Sequence, residues 1–416
     1  MVREALLLQK REVEQRLQEP YVVRAFEPDR VAHDLIKVIM GPRRAGKSFF
    51  AMHMVRELGR FGYVNFDDER LTAVEDYDKV VSALDGLYDS PRHLLLDEVQ
   101  NLPKWELLVN RLQRQGYRLT ITGSNAHLLS SELATHLTGR HVRIVLFPFS
   151  FGEYVRSLGR ELTAAETAEA FRNYVEVGGY PEPLLKPIGR AQYLTTLLRA
   201  ILYKDILVRH RIRAPQGLED LAAYLMANVA QECNPNRLVK TTRLRSVHTA
   251  EKYFQHLEEA FLFFRVKRFS FKVRQQARAN RKAYCIDPGL VTSTSFRFSA
   301  QTGQLYENVV AVALRKREME GKLELYYWKN GENEEVDFVV KEGPRVTQLI
   351  QVCAGVEEPK TKAREVRALL KCSEQLRCRQ LLVLTEDAEG EEEAAWFGRS
   401  GRVRFVPLWK WLLAQG

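Results

Sequence analysis

Eight consecutive residues, GPRRAGKS at 41–48, carry the types and spacing that grip a phosphate chain. The pattern is G-x-x-x-x-G-K-[ST]. Gly41 and Gly46 let the loop wrap until its backbone N–H groups face the phosphates. Lys47 places an ammonium against the β- and γ-phosphates, and the Ser48 hydroxyl ligates Mg²⁺. A helix opening at Lys47 adds its positive end beneath the same phosphates. The expected nucleotide set is Gly41, Pro42, Arg43, Arg44, Ala45, Gly46, Lys47, Ser48 and Phe49, with ATP and Mg²⁺ as ligands.

A second string, HLLLDEVQ at 93–100, runs apolar into two acids. Asp97, at the carboxyl end of a strand, is expected to hold Mg²⁺ together with Ser48. Glu98 is then placed to orient or deprotonate the attacking water. A third string, TGSN at 122–125, offers Ser124 and Asn125 as polar sensors of the γ-phosphate or of that water. Arg140, in LTGR, is a candidate finger for a neighbouring subunit's γ-phosphate.

These groups need a sheet with its strands aligned. Residues 34–40, 63–69, 93–98, 118–124 and 141–147 read as strands separated by helical patterns, which predicts a parallel sheet covered on both faces. An amphipathic helix is expected within residues 1–30. From 150 to about 230 the pattern is helical. Helices at 236–243 and 246–260 and two strands then spell a winged helix, with Ser246 as N-cap of the second helix. After residue 300 the chain alternates again: a helix at 304–318, strands at 323–328, 336–340 and 347–352, a helix at 359–375 and a strand at 380–384.

With 416 residues the chain exceeds one core, and two to three domains are expected. No apolar run is long enough to span a bilayer, and no signal-type stretch opens the chain. Five cysteines at irregular spacing show no disulfide or zinc pattern, so a cytoplasmic, reduced protein is expected. The net charge is +10, and residues 201–300 alone hold 18 Lys/Arg against 8 Asp/Glu. The whole excess sits in a quarter of the chain, as on a face for a polyanion. The expected DNA contacts are Arg243, Arg245, His248, Thr249 and Lys252 from the second helix, with Lys272, Arg274, Arg278, Arg281 and Lys282 from the wing.

Taken together, GPRRAGKS, LLLDEVQNLPKW, ITGSNAHLL, LTGR, LFPFSFGEY, GGYPEP, YCIDPGL and EVDFVV resemble a prokaryotic family of AAA-type P-loop ATPases. Its members join the ATPase domain to a winged helix and a C-terminal domain. The resemblance implies an AAA-type core and self-association, a ring among the arrangements. The expected α/β architecture is an ATPase domain with its N-terminal helix at 1–150, a helical lid at 151–215, a winged helix at 216–300 and a nuclease-like domain at 301–416. Residues 304–384 resemble the PD-(D/E)xK nuclease fold. Glu307 and Asp337 match its acids, but Gln351 and Cys353 stand where active relatives carry glutamate and lysine. Two acids without that lysine are too little for hydrolysis, so a degenerate site is expected.

The leading expectation is a Mg²⁺-dependent ATPase acting on duplex or branched DNA as a motor or remodeller. The alternatives are a regulatory switch whose winged helix binds proteins, and an ATP-gated nuclease.

Overall fold

The computed structural model describes residues 2–26, 35–72, 74, 76–124, 139–213, 215–294 and 302–415. It resolves into two compact units, residues 1–148 with 259–261, and residues 149–258 with 262–416.

The first unit is built on five parallel strands: β1 (Ile36–Met40), β2 (Phe61–Asn65), β3 (His93–Asp97), β4 (Arg118–Gly123) and β5 (His141–Val145). Their order is β2-β3-β4-β1-β5. Every residue of β1 and β3 is buried, as befits central strands with helices on both faces. The register pairs Met40 with Gly123 and Asn65 with Asp97. The carboxyl ends of β1, β3 and β4 therefore finish along one edge, where ligands bind in open α/β sheets. The N-terminal helix Val2–Arg16 buries Ala5, Leu6, Gln9 and Val13, and Val13 packs in one cluster with Ile39, Phe50 and Leu95.

The second unit opens with helices Phe151–Ser157, Ala164–Val177 and Arg190–Ala200. The last runs on into a π-helix, Ile201–Val208. Nine strands follow: β6 (Gln231–Cys233), β7 (Phe263–Arg268), β8 (Arg281–Cys285), β9 (Glu324–Lys329), β10 (Glu335–Glu342), β11 (Arg345–Val352), β12 (Leu381–Thr385), β13 (Gly390–Trp396) and β14 (Arg399–Pro407). They form one sheet, ordered β13-β14-β12-β11-β10-β9-β7-β8-β6. The helices Pro235–Thr241 and Val247–Glu259 form as the sequence suggests, and Ser246 Oγ accepts the N–H of Thr249 at 3.1 Å as an N-cap should.

One sheet runs across the boundary expected near residue 300. β7 pairs in parallel with β9, Lys267 opposite Tyr326, so the β7–β8 hairpin and strands β9 to β14 share one sheet. The basic segment between the two strands of the hairpin contains a short helix, Val273–Arg278, and the chain returns through β8.

Three sequence strings meet in this unit. Phe149 N–H donates to Gly179 O at 2.7 Å, Tyr174 OH donates to Phe149 O at 2.8 Å, and Gly179 N–H donates to Asp287 Oδ2 at 2.7 Å. Burial pushes the Asp287 carboxyl up to about 6, although the N–H groups of Gly179, Leu290 and Gly289 pull it back. A Cβ on Gly179 would lie 2.2 Å from the Phe149 carbonyl oxygen. Gly179→Ala is therefore expected to destabilise the unit by about 1–3 kcal/mol, read as a lower thermal midpoint.

Candidate functional site

The phosphate loop begins where β1 ends. A Cβ on Gly41 would lie 1.9 Å from the Leu146 carbonyl oxygen, so only glycine fits there. Arg44 (φ 65°) and Gly46 (φ 88°) turn the loop through the left-handed region before the helix Lys47–Glu57 begins. Lys47 is buried, and its Nζ donates to Pro42 O at 2.9 Å across the loop.

Ser48 Oγ donates to Asp97 Oδ1 at 2.9 Å, which joins the start of that helix to the end of β3. Tyr63 OH donates to Asp97 Oδ2 at 2.8 Å, and the Thr122 hydroxyl donates to Oδ1. Burial, then the neighbouring Glu98, pushes the Asp97 carboxyl upward, while these three hydroxyls hold it back. Ser48 and Asp97 present hard oxygen atoms side by side, and that donor chemistry fits Mg²⁺.

Glu98 sits at φ 51°, a left-handed turn immediately after β3. Its backbone N–H donates to Thr122 Oγ1 at 3.0 Å. Its carboxylate accepts from Ser124 Oγ at 3.4 Å and from the Gln100 amide. Lys47, Ser48, Asp97, Glu98 and Ser124 thus assemble at one sheet edge. Arg140 is exposed, with its carbonyl accepting Ile36 N–H at 3.0 Å. Asn125 lies outside the described residues.

Reading the sequence missed three groups. Thr122 belongs to the TGSN string, yet its role there is to hold Asp97. Tyr63 carries no local signal, because its partner lies on the next strand. Arg24 is buried behind the loop, donating to Ala45 O at 3.0 Å and to Phe147 O at 2.5 Å; a lone arginine ahead of a strand has no pattern to announce it.

In the second unit the expected DNA contacts divide. Arg243, Arg245, His248, Lys252, Lys272, Arg274 and Arg278 are exposed, and Thr249 and Arg281 are half-buried. Arg243 lies 3.6 Å from Asp220. Lys282 is the exception and corrects the wing assignment. Its side chain is 3% exposed, and Nζ contacts Glu307 Oε1 at 2.8 Å, Asp337 Oδ1 at 3.0 Å, and Glu335. Alternation along β8 puts Lys282 on the same face as Tyr284, the face that meets Glu307. A lysine absent from β11 is thus delivered by β8.

Around that ammonium, Tyr284 OH donates to Glu307 Oε1 at 2.6 Å, and Val352 N–H donates to Asp337 Oδ2 at 3.0 Å. Burial, then Asp337, pushes the Glu307 carboxyl up to about 8, against the pull of Lys282. Burial alone would lower Lys282; Glu307, Tyr284, Asp337 and Glu335 outweigh it and raise it. Gln351 links Asp337 N–H (3.2 Å to its Oε1) to Glu365 (2.7 Å from its Nε2). Cys353 is buried, its thiol 3.4 Å from Gly355 O, and all five cysteines are buried free thiols. Among the described residues, no helix is long and apolar enough to cross a membrane.

The family model of an AAA domain matches residues 33–155, the stretch that carries this nucleotide geometry. An uncharacterized protein of Methanocaldococcus jannaschii is 30% identical over 397 residues, covering 91% of this chain and 88% of its own. The chain belongs to the family of AAA-type P-loop ATPases. A relative from Haemophilus influenzae, also uncharacterized, is 30% identical over 354 residues, 78% of this chain and 84% of its own. The rest of the chain matches two family models described as domains of unknown function, DUF8612 at 168–301 and DUF4143 at 302–410. Among solved structures, a Walker-type ATPase of Pyrococcus abyssi aligns at TM-score 0.41 and 15% identity, over 69% of this chain and 94% of its own. The matched AAA domain spans all five strands of the first sheet and the residues gathered at its edge.

Proposed function

We propose that this protein hydrolyses ATP at the 41–48 loop and couples that turnover to DNA held by the basic wing. The observation that carries the ATPase reading is the Ser48–Asp97 hydrogen bond of 2.9 Å, with Glu98 beside Ser124 at the same edge. The loop N–H groups and Lys47 bind the phosphates, and Ser48 and Asp97 would hold Mg²⁺, which would neutralise phosphate charge. Glu98 orients a water and takes its proton as the water oxygen bonds to the γ-phosphorus. The bond to the β–γ bridging oxygen breaks, leaving ADP and phosphate.

Support for DNA comes from charge on the second unit. Residues 260–286 contain eight Lys/Arg and no Asp/Glu. Lys282 serves the carboxylate cluster, so Lys272, Arg274 and Arg278 carry the phosphate contacts. Reversing these three to Glu is expected to weaken binding to every DNA sequence and to flatten the log–log salt dependence by about 0.9 per lost contact. Affinity titrations from low to physiological salt check this. The deciding experiment is steady-state ATPase activity with and without duplex, single-stranded and branched DNA. Stimulation of about tenfold by one form supports coupled turnover, and indifference to all three removes the DNA half of the reading.

The carboxylate cluster supports a structural role better than nuclease action. Lys282 Nζ already stands between Glu307 and Asp337 at 2.8 and 3.0 Å and is itself buried, so neither acid stands open to a phosphodiester. Incubation of supercoiled and branched DNA with Mg²⁺ or Mn²⁺ is expected to leave it uncut.

A further inference from the structure

The wing carries more than charge. Phe271 is 72% exposed and Val273 78% exposed, at the turn from β7 into the helix Val273–Arg278. Burial could have hidden both, since Phe269, two residues earlier, packs inward. An exposed aromatic ring costs free energy in water unless something covers it. This ring is also held in place. Phe271 meets Phe269 edge-on, with ring centroids 5.3 Å apart and planes at 87°; Phe269 meets Tyr326 of β9 in the same way, at 5.5 Å and 89°. The ladder braces Phe271 against the sheet and leaves it facing outward. Lys272, Arg274 and Arg278 are exposed around it. The nearest acid named by these contacts, Glu324, is tied to Tyr326 OH at 2.6 Å and to Lys341.

We infer that Phe271 is a stacking platform for an unpaired base, and that the nucleic acid this wing takes is single-stranded or forked rather than continuous duplex. The inference rests on the DNA reading above. Charge complementarity selects a polyanion, and the ring then discriminates among polyanions. In a continuous duplex every base face is already stacked, so a lone ring finds nothing to cover it. An unpaired base offers a free π-face, and its flanking phosphates fall to the surrounding cations. A lipid surface fits less well. Interfacial anchoring needs a broad apolar face along a helix, whereas here two apolar side chains stand beside a six-residue helix.

The test is anisotropy titration of the full chain with a labelled 20-nucleotide oligo-dT, a blunt duplex and a fork, at several salt concentrations. Phe271→Ala is expected to weaken oligo-dT and fork binding about five- to hundredfold, as loss of one stacked base would, with the salt slope unchanged. Duplex affinity should hold, and Phe271→Trp should restore the loss. The Lys272, Arg274 and Arg278 reversals should weaken all three probes and flatten the slope. If Phe271→Ala binds oligo-dT as wild type does, the stacking platform is wrong while the DNA reading survives. If wild type binds none of the probes at low salt, the DNA reading fails and takes the platform with it. If Phe271→Ala leaves DNA binding intact but loses binding to phosphatidylserine vesicles, the wing is a lipid contact and the inference is overturned.

Discussion

Glu98→Gln should lower steady-state ATP turnover by about 10²–10⁴-fold, the usual contribution of a positioned base, and should leave ATP binding nearly intact. Glutamine keeps the length and the hydrogen-bonding shape of the side chain, so contacts with Ser124 and Gln100 can persist. What goes is the capacity to accept a proton from the attacking water. Because Glu98 follows β3 in a left-handed turn, its side chain is aimed separately from that of Asp97, which already accepts three hydroxyls. The two adjacent acids therefore cannot exchange roles. Lys47→Ala is the contrasting control, since it should weaken nucleotide binding itself. A Glu98→Gln protein that turns over ATP at the wild-type rate would assign the base to another residue.

Lys282→Met should destabilise the second unit by about 3–5 kcal/mol, the cost of removing one partner from a buried ion cluster. Methionine preserves much of the volume, so the loss would report charge rather than a cavity. Without the ammonium, Glu307 and Asp337 keep no cation among the described ion pairs, and Glu335 keeps only Lys329, at 3.5 Å. Combining Lys282→Met with Glu307→Gln and Asp337→Asn should recover part of the loss, because neutral amides need no counterion. Urea titrations of all three proteins separate these outcomes, and a Lys282→Met midpoint equal to wild type would show that the cluster contributes little. The cluster also sets a pH dependence. Glu307 is raised in the folded state, so its contribution is fully present below the ordinary glutamate range and is lost as pH rises through about 8. Wild type should lose stability progressively as pH rises from about 4.5 to about 8, and Glu307→Gln should lose less.

Local signals in the chain determined the candidate phosphate loop and most of the elements. A phosphate loop is contiguous, and its glycines are dictated by backbone geometry, so GPRRAGKS could be read without knowing any neighbour. HLLLD announced a central strand because a parallel strand buried on both faces must be apolar throughout. The helices at 302–319 and 359–376 were legible from their period. β13 escaped notice for the opposite reason: its sequence, GEEEAAW, lies at an exposed sheet edge, where burial imposes no pattern. Only the tertiary structure decided what pairs across strands. Tyr63 and Thr122 meet on Asp97 because β2, β3 and β4 are neighbours in register. Lys282 looks like the last cation of a basic wing in the sequence. It becomes the counterion of Glu307 and Asp337 because β7 pairs with β9 and alternation along β8 turns its side chain inward. Charge composition marks a basic region, but which cation meets solvent and which meets a buried acid is settled by strand pairing, which brings together residues 25 and 55 positions apart.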